Sequence, residues 1–172
     1  MKLVLPNRVL SISRVLRLAP VLTTCLVQPL LAADTSEASH PVAVHSYNLG
    51  PDNVALSGYD PVRYFTDKTA TKGSKEISAV HQGVTYYFVT DADRKLFTAS
   101  PQKYLPAYGG WCATAMAKGD KVQIDLNNFK ITNGRLLLFY KGLLGDALNK
   151  WNKDEAALAA KADAHWKKIA NE

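Results

Sequence analysis

The dipeptide Asn133-Gly134 constrains this chain more than any other feature, because it lies between two β-rich runs. Asparagine followed by glycine adopts the left-handed backbone of a tight hairpin turn at little cost. The surrounding sequence, NFKITNGRLLLFY, therefore predicts a hairpin over residues 128–140. A second hairpin is predicted over residues 75–90, where two β-rich runs flank a central Gln-Gly pair.

The sequence between and after the hairpins is predicted to be helical. Asp91 can cap a helix that ends at Pro101, with Leu96 and Phe97 as its inward residues. The C-terminal region has helical periodicity with a break near Asn152. Its apolar face consists of Leu158, Ala162, Trp166 and Ile169. We therefore predict an α+β fold, in which the two hairpins form a small antiparallel sheet packed by three to four helices, with a long C-terminal helix.

The N-terminal segment differs in character from the rest of the chain. It opens with Lys2 and three arginines, continues with an apolar run at 18–31, and ends in small residues. This order is typical of a secretory signal peptide, and the run is too short and too interrupted by proline for a transmembrane helix. We expect a signal peptide at 1–33, a flexible lead-in at 34–52 and a domain at 53–172. The mature protein would be periplasmic or secreted.

The charge of the chain resides largely in this export segment. It holds four of the 21 basic residues and none of the 15 acidic ones, so its removal lowers the formal net charge from +6 to +2. Nucleic-acid binding needs a clustered basic surface, and we expect no such partner. We expect no transmembrane segment in the mature chain. Cleavage is expected near Ala33, and the alternatives are a retained anchor and a lipid anchor at Cys25.

Cys112 is the single cysteine of the predicted mature chain, so no internal disulfide can form. Met116 follows four residues later, at a spacing that places both sulfurs on one face of a helix. A thiolate and a thioether together suit a soft cation such as Cu(I). His81, beside the first hairpin turn, is the leading candidate for a third ligand. The alternative is that both sulfur-containing side chains are plain core.

Cys112 could instead be a reactive thiol. Gly109-Gly110 leads into it near a predicted helix N-terminus, where the helix dipole stabilises a thiolate. The glycines would also allow a ligand or a second backbone to come close. A nucleophile needs a base, and His81 or His165 would have to serve. The chain has no Cys-x-x-Cys motif, which excludes a thioredoxin-like site.

Four further residues are binding candidates. Tyr59, Asp60 and Arg63 form a compact polar cluster around Pro61. Asp60 suits a turn or cap better than a general acid, and Arg63 could pair with Asp60 or bind an anion. Trp111 could stack on a ligand or anchor the core.

Several of these motifs together resemble the YHS domain family. The sequences GYDPVRYF at 58–65 and HQGVTYYFVTDADRKLFTASPQKYLPAYGGWCA at 81–113 are similar to those of exported bacterial YHS-domain proteins. The resemblance covers roughly residues 53–166 and implies a small metal-binding module. Classical members carry cysteines after the Asp-Pro-Val and after the Tyr-Tyr-Phe strand. Here Arg63 occupies the first place and residues 89–97 hold no cysteine, so those metal positions are absent.

The sequence contains no paired-carboxylate arrangement, phosphate loop, Gly-x-Ser-x-Gly or His-Glu-x-x-His motif. Our leading hypothesis is therefore an exported, non-enzymatic binding module of unknown ligand, with copper or another soft metal bound through Cys112 and Met116. One alternative is a thiol-dependent enzyme or redox sensor that uses Cys112. The other is a structural or partner-binding module in which Cys112 is inert.

Overall fold

The computed structural model describes residues 44–143 and 145–171, which all belong to one compact unit, 38–172. The predicted signal peptide, Cys25 and residues 34–43 of the predicted lead-in lie outside the described residues. Within the described ranges, no helix is long and apolar enough to cross a membrane. The α+β fold class is confirmed.

The strands of the described ranges pair as three antiparallel two-stranded sheets. They are β1 (Ser74–His81) with β2 (Val84–Phe88), β3 (Asp125–Thr132) with β4 (Arg135–Phe139), and β5 (Lys141–Gly142) with β6 (Gly145–Asp146). The first two pairs are the predicted hairpins. Both turn dipeptides, including Asn133-Gly134, have positive φ at both residues, which is the conformation that a tight two-residue hairpin turn requires. Each hairpin forms its own sheet, and each has an irregularity in its register away from the turn.

The described ranges also contain six α-helices. They are α1 (Arg63–Thr66), α2 (Asp91–Ala99), α3 (Pro101–Tyr104), α4 (Ala113–Met116), α5 (Ala147–Trp151) and α6 (Glu155–Ala170). The predicted break near Asn152 separates α5 from α6. Helix α6 is the long C-terminal helix, with 16 residues.

Helix α2 corrects two sequence predictions. Its cap is Thr90, whose hydroxyl accepts a hydrogen bond from the Asp93 N–H at 3.1 Å, whereas Asp91 is already helical. Thr90 has the extended backbone that a capping residue needs. Phe97 is buried as predicted, but Leu96 is 47% exposed. Adjacent helical residues point about 100° apart, so with Phe97 directed into the core Leu96 lies towards the edge of the buried face.

The first hydrophobic cluster lies around the β1–β2 hairpin. Tyr86 and Phe88 are buried on one face of β2, and Tyr87 points to the other face, as the strand alternation predicts. Phe97 of α2 packs on both buried rings, with ring centroids 4.7 and 5.2 Å apart. Leu136 and Leu138 of β4 also belong to this cluster, so it connects the two hairpins.

The second cluster lies between β4 and the C-terminal helices. Its largest buried side chain is Trp151, whose ring packs on Phe139 of β4 at 5.6 Å between centroids. Met116 and Ala162 are fully buried beside it. Leu158, Trp166 and Ile169 pack against the cluster from α6, which confirms the predicted apolar face.

Residues 44–52, the described part of the predicted lead-in, contact the domain directly. The Asn48 N–H donates to the Gly109 carbonyl at 2.8 Å. Gly109 has φ +60°, and a Cβ there would lie 2.6 Å from the Trp166 ring and 3.1 Å from the Tyr47 Cα. The prediction that Gly109-Gly110 lets a second backbone come close is thus confirmed at Gly109, and the backbone is that of Tyr47 and Asn48.

Candidate functional site

Cys112 lies where the chain leaves the Gly109-Gly110 turn and enters α4. Its backbone is not helical (φ −59°, ψ 119°), because Cys112 is the capping residue that precedes the helix. Its N–H donates to the Val122 carbonyl at 3.1 Å, and it forms a parallel bridge with Leu138 of β4. Two segments distant in the sequence therefore fix the position of the thiol.

The thiol of Cys112 is buried beside an open cavity. The residue is 1% exposed, and its Sγ accepts a hydrogen bond from the Tyr140 N–H at 3.3 Å. The cavity has a volume of about 280 Å³ and opens to solvent between α4 and the β5–α5 region. We call it the Cys112 cavity. Its walls are partly apolar, with Ala115, Val122 and Ala147 among the lining residues.

Three exposed charged side chains lie at the rim of the Cys112 cavity: Lys118, Asp120 and Lys150. None of the three forms an ion pair or side-chain hydrogen bond within residues 44–143 and 145–171. Gly119, with φ +86°, makes the turn between the first two. The rim therefore carries two free positive charges and one free negative charge.

Asp146 also lines the cavity, but its carboxylate is occupied. The Asn128 side-chain amide and the Leu148 N–H both donate to Asp146 Oδ1 at 2.9 Å. The hydrogen bond from Asn128 is the largest cause of a lowered Asp146 pKa. Asp146 thus caps α5 and stays ionised, and the Thr114 hydroxyl beside it donates to the Ala147 carbonyl at 2.9 Å.

Met116, the predicted second sulfur ligand, has different surroundings from Cys112. Its N–H donates to the Cys112 carbonyl at 2.9 Å, so the two residues lie on successive turns. Its side chain, however, is fully buried in the second hydrophobic cluster, and it does not line the Cys112 cavity. The helical spacing rule that pairs the two sulfurs assumes that both residues are helical, and Cys112 is not.

The two candidate histidines lie apart from each other. His81 ends β1, and its ring packs edge-on against Phe97 of the first cluster, 6.1 Å between centroids. Its Nε2 is buried and has no hydrogen-bond partner within the described ranges. His165 packs over Gly119, where a Cβ would lie 3.1 Å from its Nδ1. His165 therefore lies at the Gly119 turn and His81 in the first cluster, and neither is a lining residue of the Cys112 cavity.

No group of three or more His, Cys, Asp and Glu side chains in the described part of the chain is placed to hold a metal ion. Methionine is not among these four residue types, and a site formed by Cys112, Met116 and His81 stays a prediction. The role of Cys112 as a nucleophile stays a prediction as well.

The polar cluster at Tyr59, Asp60 and Arg63 serves the fold. Asp60 is buried and accepts hydrogen bonds from the Val62 and Val89 N–H groups, both at 2.8 Å. This is the predicted turn role, and it ties the turn to the end of β2. Burial raises the pKa of Asp60, and the two hydrogen bonds oppose that shift.

Arg63 does not pair with Asp60, which corrects one of the two roles predicted for it. Its guanidinium binds Asp93 at 2.8 Å and Asp67 at 2.6 Å. Both carboxylates compete with any anion for the same donors. Tyr59 stays at the surface of the first cluster, with the Lys72 ammonium 5.2 Å from its ring centroid.

Trp111 anchors residues 44–46. Its indole N–H donates to the Ser46 carbonyl at 2.8 Å, and its ring packs against the second cluster. These contacts favour the anchoring role over stacking on a ligand.

No sequence pattern indicates the rim of the Cys112 cavity. Lys118 and Asp120 flank a glycine at a helix end, which reads as an ordinary stop, and Lys150 lies thirty residues further on. No protein-family model matches the chain, and neither the curated proteins nor the solved structures contain a match. The YHS resemblance stays a prediction.

Proposed function

We propose that this protein is an exported, non-enzymatic binding module of the YHS type that holds a small ligand in the Cys112 cavity. The observation that carries the proposal is the environment of the thiol. Cys112 is buried, yet it borders an open cavity of about 280 Å³ rather than solid core. Ligand pockets are typically concave and mostly apolar, with a few polar groups that set orientation.

The lining favours a small organic anion with an apolar body. Ala115, Val122 and Ala147 offer apolar contact. At the rim, Lys118 and Lys150 are unpaired, which gives a partly enclosed positive potential. Asp120 and the ionised Asp146 place two negative charges in the same lining, so the attraction for an anion comes from the free ammonium groups of the two rim lysines and not from a net positive charge.

Binding of butyrate to the ¹⁵N-labelled protein, followed by amide chemical shifts, tests the proposal. We expect saturable shifts at Cys112, Ala115 and Ala147, and weaker ones with butyramide, which has the same shape without the charge. The double variant Lys118→Met/Lys150→Met should remove the preference for butyrate. The matched control is Lys161→Met on the exposed side of α6, which should keep it. Equal shifts with both probes would contradict an anion site.

Soft-metal binding is the second candidate, because the Cys112 sulfur borders a cavity that an ion can enter. An anaerobic Cu(I) competition titration in a Cys25→Ser background, run beside Cys112→Ser, separates the two. Tight one-to-one binding that the Cys112→Ser change abolishes would show that the cavity holds a metal ion and not an organic ligand. Equal Cu(I) affinity in both proteins would exclude a metal site that uses Cys112.

A further inference from the structure

A second cavity, of about 370 Å³, opens between the turn of the β3–β4 hairpin and the C-terminal helices. We call it the Trp151 cavity. Residues that line it include Thr132, Arg135 and Leu137 from the hairpin and Trp151 and Glu155 from α5 and α6. A water molecule needs only about 10–15 Å³ of such volume, so the space suits an organic molecule.

Two polar atoms among the lining residues are buried without a partner. The Trp151 indole Nε1 and the Glu155 Oε1 each have no hydrogen-bond partner in the described part of the chain. Trp151 as a whole is fully buried. An unsatisfied buried donor or acceptor is costly, and native proteins leave few of them. One of these atoms can only donate and the other, on an ionised carboxylate, can only accept.

The two groups face each other but do not form a hydrogen bond of good geometry. Glu155 has a lowered pKa, mainly because Lys130 donates to its other oxygen at 2.5 Å, with smaller contributions from hydrogen-bonding interactions with Trp151 and Thr132. The indole and the carboxylate thus interact as a loose hydrogen bond, which leaves Trp151 Nε1 and Glu155 Oε1 without a well-aligned partner. A group that both donates and accepts can satisfy both atoms at once.

The charges that line this cavity are already paired. Glu155 binds Lys130, and Arg135 binds Asp163 through two hydrogen bonds of 2.8 and 3.2 Å. The Tyr108 hydroxyl also donates to Asp163, at 2.9 Å. A charged ligand would have to be desolvated without a free countercharge, which is unfavourable. An uncharged ligand avoids that cost.

We propose that the Trp151 cavity binds a small uncharged molecule that carries hydroxyl groups. One hydroxyl accepts from the Trp151 indole N–H and donates to Glu155 Oε1, and its entry requires a small shift of the Glu155 side chain because both atoms are covered in the free protein. The rings of Trp151 and Tyr108, together with Leu137, provide apolar contact for the rest of the molecule. This site is separate from the Cys112 cavity and does not depend on the function proposed for it.

The indole N–H signals of the ¹⁵N-labelled full chain test this proposal. The chain has three tryptophans, so three signals are available, and Trp151→Phe assigns its own. With D-glucose, D-ribose or glycerol as the probe, we expect a saturable shift of the Trp151 signal, with a Kd on the order of 1 mM for glucose. The Trp111 signal should not move, because that indole already donates to Ser46. Tetrahydropyran, a ring ether without hydroxyl groups, should give no saturable shift.

Variants separate a bound hydroxyl from a general effect of the probe. Glu155→Gln removes the charged acceptor at nearly constant shape and should weaken glucose binding about tenfold. Trp166 lies outside this cavity, so Trp166→Phe should leave the glucose affinity unchanged. A Trp151 signal that none of the three probes shifts would overturn the proposal. So would a glucose affinity that Glu155→Gln leaves unchanged, or an indole N–H that bonds directly to Glu155 in solution and ignores glucose.

Discussion

The Cys112 cavity and the Trp151 cavity are similar in size, about 280 and 370 Å³, but their polar groups are arranged in opposite ways. In the Cys112 cavity the buried sulfur accepts a hydrogen bond and the lysines at the rim are unpaired. In the Trp151 cavity the charged side chains are paired, and the buried Trp151 Nε1 and Glu155 Oε1 atoms have no well-aligned hydrogen-bond partner in the described ranges.

This difference predicts different ligands from cavities of similar volume. Free charges at a rim attract a ligand of opposite charge over a distance, and salt weakens the attraction. Orphaned buried atoms act only at contact, and they select a ligand by its donors and acceptors. Volume alone therefore does not identify a ligand; the unpaired groups do.

Truncation of Trp151 should have the largest effect. Trp151→Ala removes a fully buried ring that packs on Phe139, and we expect a loss of about 3–5 kcal/mol in the free energy of unfolding. Trp166→Ala, at a partly buried ring on α6, should cost clearly less. Urea denaturation of both variants measures this. Equal losses would mean that Trp151 is not a core residue of the second cluster.

Truncation of Cys112 should have a smaller effect. Cys112→Ala removes one buried sulfur beside a cavity, and we expect a loss of about 1–2 kcal/mol in the free energy of unfolding. Cys112→Val should be tolerated at a similar level, since the open space accepts the extra methyl group. A loss as large as that of Trp151→Ala would show that the thiol sits in solid core, and the contrast between the cavities would fail.

Acid should lower the stability of the fold, because each cavity is lined by one carboxylate that stabilises the folded state when it is ionised. The folded-state pKa of Glu155 is lowered by Lys130 and that of Asp146 by Asn128. Each carboxylate therefore stabilises the fold above its unfolded pKa of about 4, and that stability is lost as pH falls through the lower folded value. Urea midpoints at neutral pH and at pH values below about 4 measure the loss.

Two substitutions assign this acid sensitivity. Glu155→Gln and Asp146→Asn should each reduce the difference between the neutral and acidic midpoints. Asp120→Asn, at a carboxylate without an ion pair in the described ranges, is the control and should leave that difference unchanged. An acid loss that is the same in all three variants would place its origin elsewhere.

Salt should have the smallest effect, and only at one cavity. Raising the ionic strength should weaken butyrate binding at the Cys112 cavity about two- to threefold, because exposed lysines are screened. Glucose binding at the Trp151 cavity should not change, since its charges are paired. Isothermal titrations at low and high sodium chloride compare the two. The same salt dependence at both cavities would contradict the distinction between a cavity with free charges and a cavity with paired charges.

Local features of the fold were predictable from the sequence, because their causes are local. Asn133-Gly134 determines its own turn, and the apolar face of α6 follows from helical spacing. The prediction that Arg63 pairs with Asp60 was wrong because the partner of Arg63 is distant in the sequence. Arg63 binds Asp93, which is thirty residues away, instead of Asp60, which precedes it by three residues.

The candidate site was predictable only in part. The sequence singled out Cys112 and the glycines before it, since a lone cysteine is unusual in a chain that is predicted to be exported. It could not show that Cys112 precedes α4 while the Met116 side chain enters the core. The cavity itself is formed by residues 112–122 and 140–150, and only tertiary packing brings those segments together.

The most direct test of the Cys112 cavity as an anion site is the reactivity of its thiol. In a Cys25→Ser background, the rates of alkylation by iodoacetate and iodoacetamide report access for an anion and for its neutral counterpart. We predict that the ratio of the iodoacetate rate to the iodoacetamide rate is higher in the folded protein than in the protein unfolded by urea. The double variant Lys118→Met/Lys150→Met should make the folded and unfolded ratios equal. A folded protein that reacts with neither reagent, or that shows the same ratio as the unfolded chain, would contradict the account.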